Sequence, residues 1–156
     1  MMKISSHFLI SITCLLGLGC ESRFADVEKS LGELLSKHNS ESFFKNGVVL
    51  IVPIDGCNSC IKQSIDYYWG GVDTVNVAFV FGGLGEKAIK IKIGEENMER
   101  ANVLLDKTDD IHKLRLADVT PRVFFLYEGK LVRVIDMTEN NSLEIINEIK
   151  EFNSGY

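Results

Sequence analysis

The chain has 156 residues, with 17 Lys and Arg against 22 Asp and Glu, a net charge of −5, and 46% apolar residues. That length suits one domain with a real core, and an acidic balance without a long basic run argues against a nucleic-acid partner. Only two prolines occur, and there is no long Ser/Gly tract or internal repeat, so no disordered linker stands out.

Met1 to Gly19 reads as a secretory signal, with a basic start at Lys3 and an apolar run from Phe8 to Gly19. The run holds Ile10, Ile12, Leu15, Leu16 and Leu18 and is too short to span a bilayer. It ends in Leu16-Gly17-Leu18-Gly19-Cys20, which resembles a bacterial lipoprotein box, where cleavage precedes the cysteine and lipid is attached to it. Gly19 fits that pattern, while Gly17 stands where Leu is commoner. The resemblance implies that Cys14 is discarded and Cys20 is lipidated, leaving Cys57 and Cys60 as the thiols of a chain with four cysteines. An ordinary cleaved signal and an uncleaved anchor are the other readings.

Phe24, Val27, Leu31, Leu34 and Leu35 recur at helical spacing, which predicts an amphipathic helix over 24–38. Asn39 to Gly47 is a polar connector holding Phe43 and Phe44. Val48 to Ile54 is almost continuously apolar and β-branched, as in a strand covered on both faces of a parallel sheet. The strand runs through Asp55-Gly56 straight into Cys57-Asn58-Ser59-Cys60, and a helical pattern then opens, with Ile61, Ile65, Tyr68 and Trp69 on one face and a stop at Gly70-Gly71.

Val75 to Phe81 reads as a second buried strand. Residues 82–94 are ambiguous, because Ile89, Ile91 and Ile93 alternate like a strand while Glu86 to Lys90 equally begins a helix. Glu95 to Ala101 reads as a short helix, Asn102 to Asp106 as a short strand, and Lys107 to Asp118 as a helical turn plus loop. Arg122 to Tyr127 and Lys130 to Met137 form a hairpin about Glu128-Gly129. Asn141 with Glu144 three later suggests a capping box before a final helix with Ile145, Ile146, Ile149 and Phe152 on its apolar face. Helices between the early strands imply right-handed crossovers and a parallel sheet, to which the hairpin adds an antiparallel edge.

The Cys-x-x-Cys carries the chemistry. Its first thiol sits at a helix N-terminus, where unpaired N–H groups and the dipole favour a thiolate, and its second lies one turn further in. Cys57 is then the nucleophile that attacks a disulfide, and Cys60 the thiol that resolves the mixed intermediate. No metal or organic cofactor is needed. A zinc site lacks a second Cys-x-x-Cys, and few histidines stand in for one.

The element order, the Cys-x-x-Cys after the first central strand, and Val119-Thr120-Pro121-Arg122-Val123-Phe124-Phe125-Leu126-Tyr127-Glu128-Gly129-Lys130-Leu131-Val132 resemble the thioredoxin fold over about Val48 to Phe152. The resemblance implies an α/β three-layer sandwich, with a mixed central sheet and helices on both faces. It also implies a cis Thr120–Pro121 bond, with the Thr120 backbone pairing an extended substrate strand. The longer segment before Pro121, with Asn102-Val103-Leu104-Leu105-Asp106, looks like the insert of the redoxin group, which includes membrane-anchored reductases of bacterial envelopes. The chain departs from the family at Gly56, where an aromatic residue is usual, and at Ile51, where many members bury a proton-accepting acid. Asp55 falls on the exposed loop and opposes a very low thiol pKa, which Lys62 partly offsets.

These readings divide the chain into a signal peptide (1–19), a lipid-anchored helix and connector (20–47) and a thioredoxin-like domain (48–156). They describe a bacterial envelope thiol–disulfide oxidoreductase held to the membrane by its N-terminal lipid. Its partners are a protein disulfide substrate and an upstream dithiol donor. The alternatives are a non-catalytic binding module with a structural disulfide, and a copper carrier using Cys57, Cys60 and His112. A peroxidase is disfavoured because Ile54 stands where such relatives carry Thr or Ser.

Overall fold

Val48, Leu50 and Val52 face one side of the central strand, and Val49 and Ile51 the other, all without solvent exposure. This alternation organises the computed structural model, which describes residues 24–70 and 76–154. The strand is β1 (Gly47–Pro53), buried along its whole length as its unbroken apolar run predicts. It pairs in parallel with β2 (Val77–Gly82), which pairs in parallel with β3 (Val103–Leu105). On its other side β1 pairs antiparallel with β4 (Arg122–Tyr127), which forms a hairpin with β5 (Lys130–Asp136). The sheet is mixed and five-stranded, in the order β3-β2-β1-β4-β5.

Helices cover both faces. Against Leu50, Phe79 and Phe125 lie Ile61, Ile65 and Tyr68 of α2 (Asn58–Trp69), Ile89 and Ile93 of α3 (Glu86–Ile93), and Ile145 and Ile149 of α5 (Ser142–Ser154). Against Ile51, Val80 and Phe124 lie Leu31, Leu34 and Leu35 of α1 (Ala25–Lys37) and Ile111 of α4 (Asp110–Lys113). Each face of the sheet therefore carries its own hydrophobic layer. The Glu28 carboxylate of α1 also accepts the Leu131 N–H of β5 at 3.1 Å. The result is the three-layer, mixed-sheet α/β sandwich of the thioredoxin-like fold.

Several sequence-level expectations sharpen. Ile89 and Ile93 are fully buried while Ile91 is 75% exposed, the signature of a helix face rather than a strand, and this settles 86–93. After it only Glu95–Asn97 is helical, as a single 3-10 turn, where a longer segment to Ala101 was expected. The hairpin turn has positive φ at both Glu128 (50°) and Gly129 (74°), the two-residue geometry that matches strand twist. Its N–H groups are held by the Asn46 side-chain carbonyl (2.7 Å) and the Lys45 carbonyl (2.8 Å).

The expected capping box at Asn141 does not form. Asn141 Oδ1 accepts the Thr138 N–H at 2.7 Å and its amide donates to the Asp136 carbonyl at 3.1 Å, so the side chain closes the turn leaving β5 instead. Asn competes for nearby backbone groups in this way, and the turn outbids the helix end.

The insert is tied down by Tyr68. Its ring meets Phe79 edge-on at 4.8 Å and carries the Arg100 guanidinium 5.0 Å from its centroid, and its hydroxyl donates to the Asn97 carbonyl at 3.1 Å. Trp69 is half-exposed at the end of α2 rather than in the core.

Candidate functional site

β1 ends at Pro53, where a missing N–H costs nothing in the ladder, and Gly56 N–H closes a turn onto the Pro53 carbonyl at 3.2 Å. The turn delivers Cys57 to the N-cap of α2 with extended backbone (φ −62°, ψ 110°), its carbonyl accepting the first helical bond from Ile61 at 2.9 Å. Cys60 lies one turn on. The two form a disulfide across a Cα–Cα distance of 5.4 Å. Cys57 is half-exposed and Cys60 is 2% exposed, the asymmetry expected of an attacking and a resolving thiol.

Gly56 explains its own departure from the aromatic pattern. A Cβ there would sit 2.0 Å from the Val119 carbonyl oxygen, so only glycine lets the two backbones meet. In that contact Cys57 N–H donates to the Val119 carbonyl at 2.6 Å. The Val119–Pro121 segment is thereby held alongside the cysteine loop. Among the described residues neither the backbone nor the hydroxyl of half-buried Thr120 has a hydrogen-bond partner.

The Thr120–Pro121 bond, however, is trans, since no peptide bond among the described residues is cis. Trans is the lower-energy isomer of an X–Pro bond, and here the flanking carbonyls are both satisfied in it, Val119 by Cys57 and Pro121 by the Met137 N–H at 2.7 Å.

Ser59 and Glu139 also shape the surroundings of the pair. Ser59 Oγ stands 3.3 Å from Cys57 Sγ and 3.5 Å from a Glu139 carboxylate oxygen. Lys62 does not offset Asp55 at the thiol, because its ammonium is engaged by Asp66 at 2.6 Å, the i,i+4 partner its helix supplies. Lys92 instead reaches the Asn58 side chain at 3.4 Å. Ile51 is fully buried, so the place of the usual acid is apolar.

His112 is bound on both ring nitrogens, Nδ1 to Asp109 at 2.5 Å and Nε2 to the Asp118 carbonyl at 3.2 Å, with Asp55 3.9 Å away. Burial works against its imidazolium, but the Asp109 bond, the Asp118 carbonyl and the charges of Asp109 and Asp55 outweigh it, and the pKa is raised. The Asp109–His112 spacing of i,i+3 was the available signal for this pairing. Among the described residues no three His, Cys, Asp or Glu side chains converge to hold a metal ion. Cys20 and Cys14 lie outside the described residues, and no described helix is long and apolar enough to cross a membrane.

No protein-family model and no curated protein matches the chain. Among solved structures it is similar to an uncharacterized thioredoxin-like protein from Porphyromonas gingivalis, 23% identical, with a TM-score of 0.46, covering 72% of this chain and 79% of that one. It is also similar to a protein from Chlorobium tepidum that carries the provisional name thiol:disulfide interchange protein DsbE, 15% identical, with a TM-score of 0.46, covering 71% of this chain and 83% of that one. The strand order and the Cys57–Cys60 disulfide at the start of α2 define a thioredoxin-like protein with a dicysteine centre suited to thiol–disulfide redox chemistry.

Proposed function

We propose that the protein is an envelope thiol–disulfide oxidoreductase that reduces or exchanges disulfides in other proteins and is anchored through lipid on Cys20. The observation that carries the redox reading is the placement of a half-exposed Cys57 at the N-cap of α2 with Cys60 buried one turn behind it. The leader-like Met1 to Gly19 and the box around Cys20 support the envelope location.

In the reducing direction the Cys57 thiolate attacks one sulfur of a substrate disulfide, and the other sulfur leaves as a thiolate. That leaving thiolate takes the proton of Cys60, because Ile51 offers none of the usual acid chemistry. Cys60 then attacks the Cys57 sulfur, releasing the second substrate sulfur and closing the protein disulfide. Two electrons pass to the substrate, and a dithiol donor restores them. The unpaired Thr120 backbone, with Pro121 behind it, receives the extended substrate strand.

The test is Cys60→Ser in cells. Mixed disulfides between Cys57 and partner proteins should accumulate, and Cys57→Ser should lose them. Absence of adducts from Cys60→Ser would leave the disulfide a structural staple of a binding module. Mass spectrometry of the mature N-terminus tests the anchor: acylated Cys20 supports it, and an unmodified start elsewhere overturns it.

A further inference from the structure

Ser59 is the second residue of α2, two beyond Cys57, and its hydroxyl lies between a sulfur at 3.3 Å and the Glu139 carboxylate at 3.5 Å. We propose that Ser59 is a catalytic residue of this centre, whose hydroxyl donates to the Cys57 thiolate in the dithiol state and turns to Glu139 in the disulfide state. The proposal rests on Cys57 being the nucleophile.

A hydroxyl has one hydrogen to give. In the disulfide the Cys57 sulfur is neutral and a weak acceptor, so the carboxylate takes that hydrogen. After reduction the sulfur of Cys57 carries a negative charge, so a bond to it is charge-assisted just as the bond to Glu139 is, and at 3.3 Å against 3.5 Å the sulfur is the nearer acceptor. Rotation about one side-chain bond moves the hydrogen from oxygen to sulfur, and no proton is transferred.

Other sources of support for the anion are turned away from it. Lys62 is held by Asp66 and Lys92 by Asn58, while Asp55 and Glu139 add negative charge near the loop. The unpaired N–H groups at the start of α2 and the Ser59 hydroxyl therefore carry the stabilisation. Glu139 is a positioning residue in this scheme, competing with the thiolate for the same hydrogen.

The experiment is the thiol pKa of Cys57 in the full chain reduced with dithiothreitol, read by iodoacetamide alkylation across pH with mass spectrometry of the Cys57 peptide. Ser59→Ala should raise that pKa by about one unit, the size of a bond to a charged group. Ser59→Thr, which keeps the hydroxyl, should restore it. Glu139→Gln should lower it, and at high salt, where exposed charges are screened, that effect should vanish in the Ser59→Ala background. At pH above the thiol pKa of both proteins, the same tenfold change makes the Ser59→Ala potential about 30 mV more negative.

An unchanged pKa in Ser59→Ala, or a Glu139→Gln effect that persists at high salt without Ser59, overturns the proposal. Failure of the oxidoreductase reading looks different, because Cys57 would then resist alkylation in the wild type as well as in every variant.

Discussion

Gly56 and Val119 touch backbone to backbone: the Val119 carbonyl oxygen occupies the space a Cβ at 56 would need, 2.0 Å away, and accepts the next N–H, that of Cys57. The contact joins the cysteine loop to the segment that carries Thr120 and Pro121. Gly56→Ala should force the two apart, break the Cys57 bond and destabilise the fold by about 2 kcal/mol, combining overpacking with a lost hydrogen bond. Denaturant midpoints of the two proteins measure this. A variant as stable as the parent would mean that the loops part without cost.

His112 makes stability depend on pH near neutrality. Its folded pKa lies above its ordinary 6.5, raised against the opposing effect of burial by the Asp109 bond and its acidic neighbours. The imidazolium therefore adds stability that is complete below about 6.5 and is lost as pH rises through the folded value. Urea unfolding from pH 5 to 9 should show the gap between parent and His112→Gln narrowing as pH rises. A gap that stays constant would show that the charge does not stabilise the fold.

Asp110 acts in the acid range with the opposite sign. The Thr108 hydroxyl bond leads the effects that lower its pKa from 3.8, burial opposes it, and Lys37 of α1 adds a 3.1 Å ion pair. A lowered carboxylate stabilises above its unfolded pKa and loses that contribution as pH falls through the folded value. Asp110→Asn should thus be less stable than the parent at pH 7 and converge with it below pH 3.8. Equal stability at pH 7 would show that the Lys37–Asp110 link contributes nothing.

Leu34 decides whether α1 is a tether or part of the core. It is fully buried against the sheet layer that holds Ile51 and Val80. Leu34→Ala should cost about 2–5 kcal/mol, the range for a buried leucine, whereas a loosely attached leader helix would tolerate it. A thermal melt of the full chain separates the two.

The fold was largely legible because its strongest signals are local. The unbroken run Val48 to Ile54 announces a central strand, and the Cys-x-x-Cys marks where the next helix begins. Segment 82–94 was not legible, because three isoleucines at spacing two satisfy a strand while only Ile89 and Ile93 satisfy the helix that forms, and burial decides between them. The Asn141 motif misled because the same side chain has two sets of backbone partners within reach. At the site, the cysteine pair was readable from its spacing, while Thr120 and Pro121 entered only through the resemblance to the thioredoxin fold. The Gly56–Val119 contact and the Ser59–Glu139 pairing depend on residues 63 and 80 positions apart meeting in space, and no short-range pattern encodes those meetings.

The Glu28–Leu131 bond bears on association between copies of the chain. The sheet has two open borders, β3 and β5. At β3 only three residues are in strand conformation, too few to template a foreign chain. β5 is the longer hazard, with seven residues and an apolar Val132 that is 48% exposed. There Glu28 caps an N–H of β5 with its own carboxylate, next to the exposed Lys130. A second copy approaching to extend the sheet meets an anion where it needs a donor. Extended polypeptide is thereby discouraged from docking along that border of the sheet.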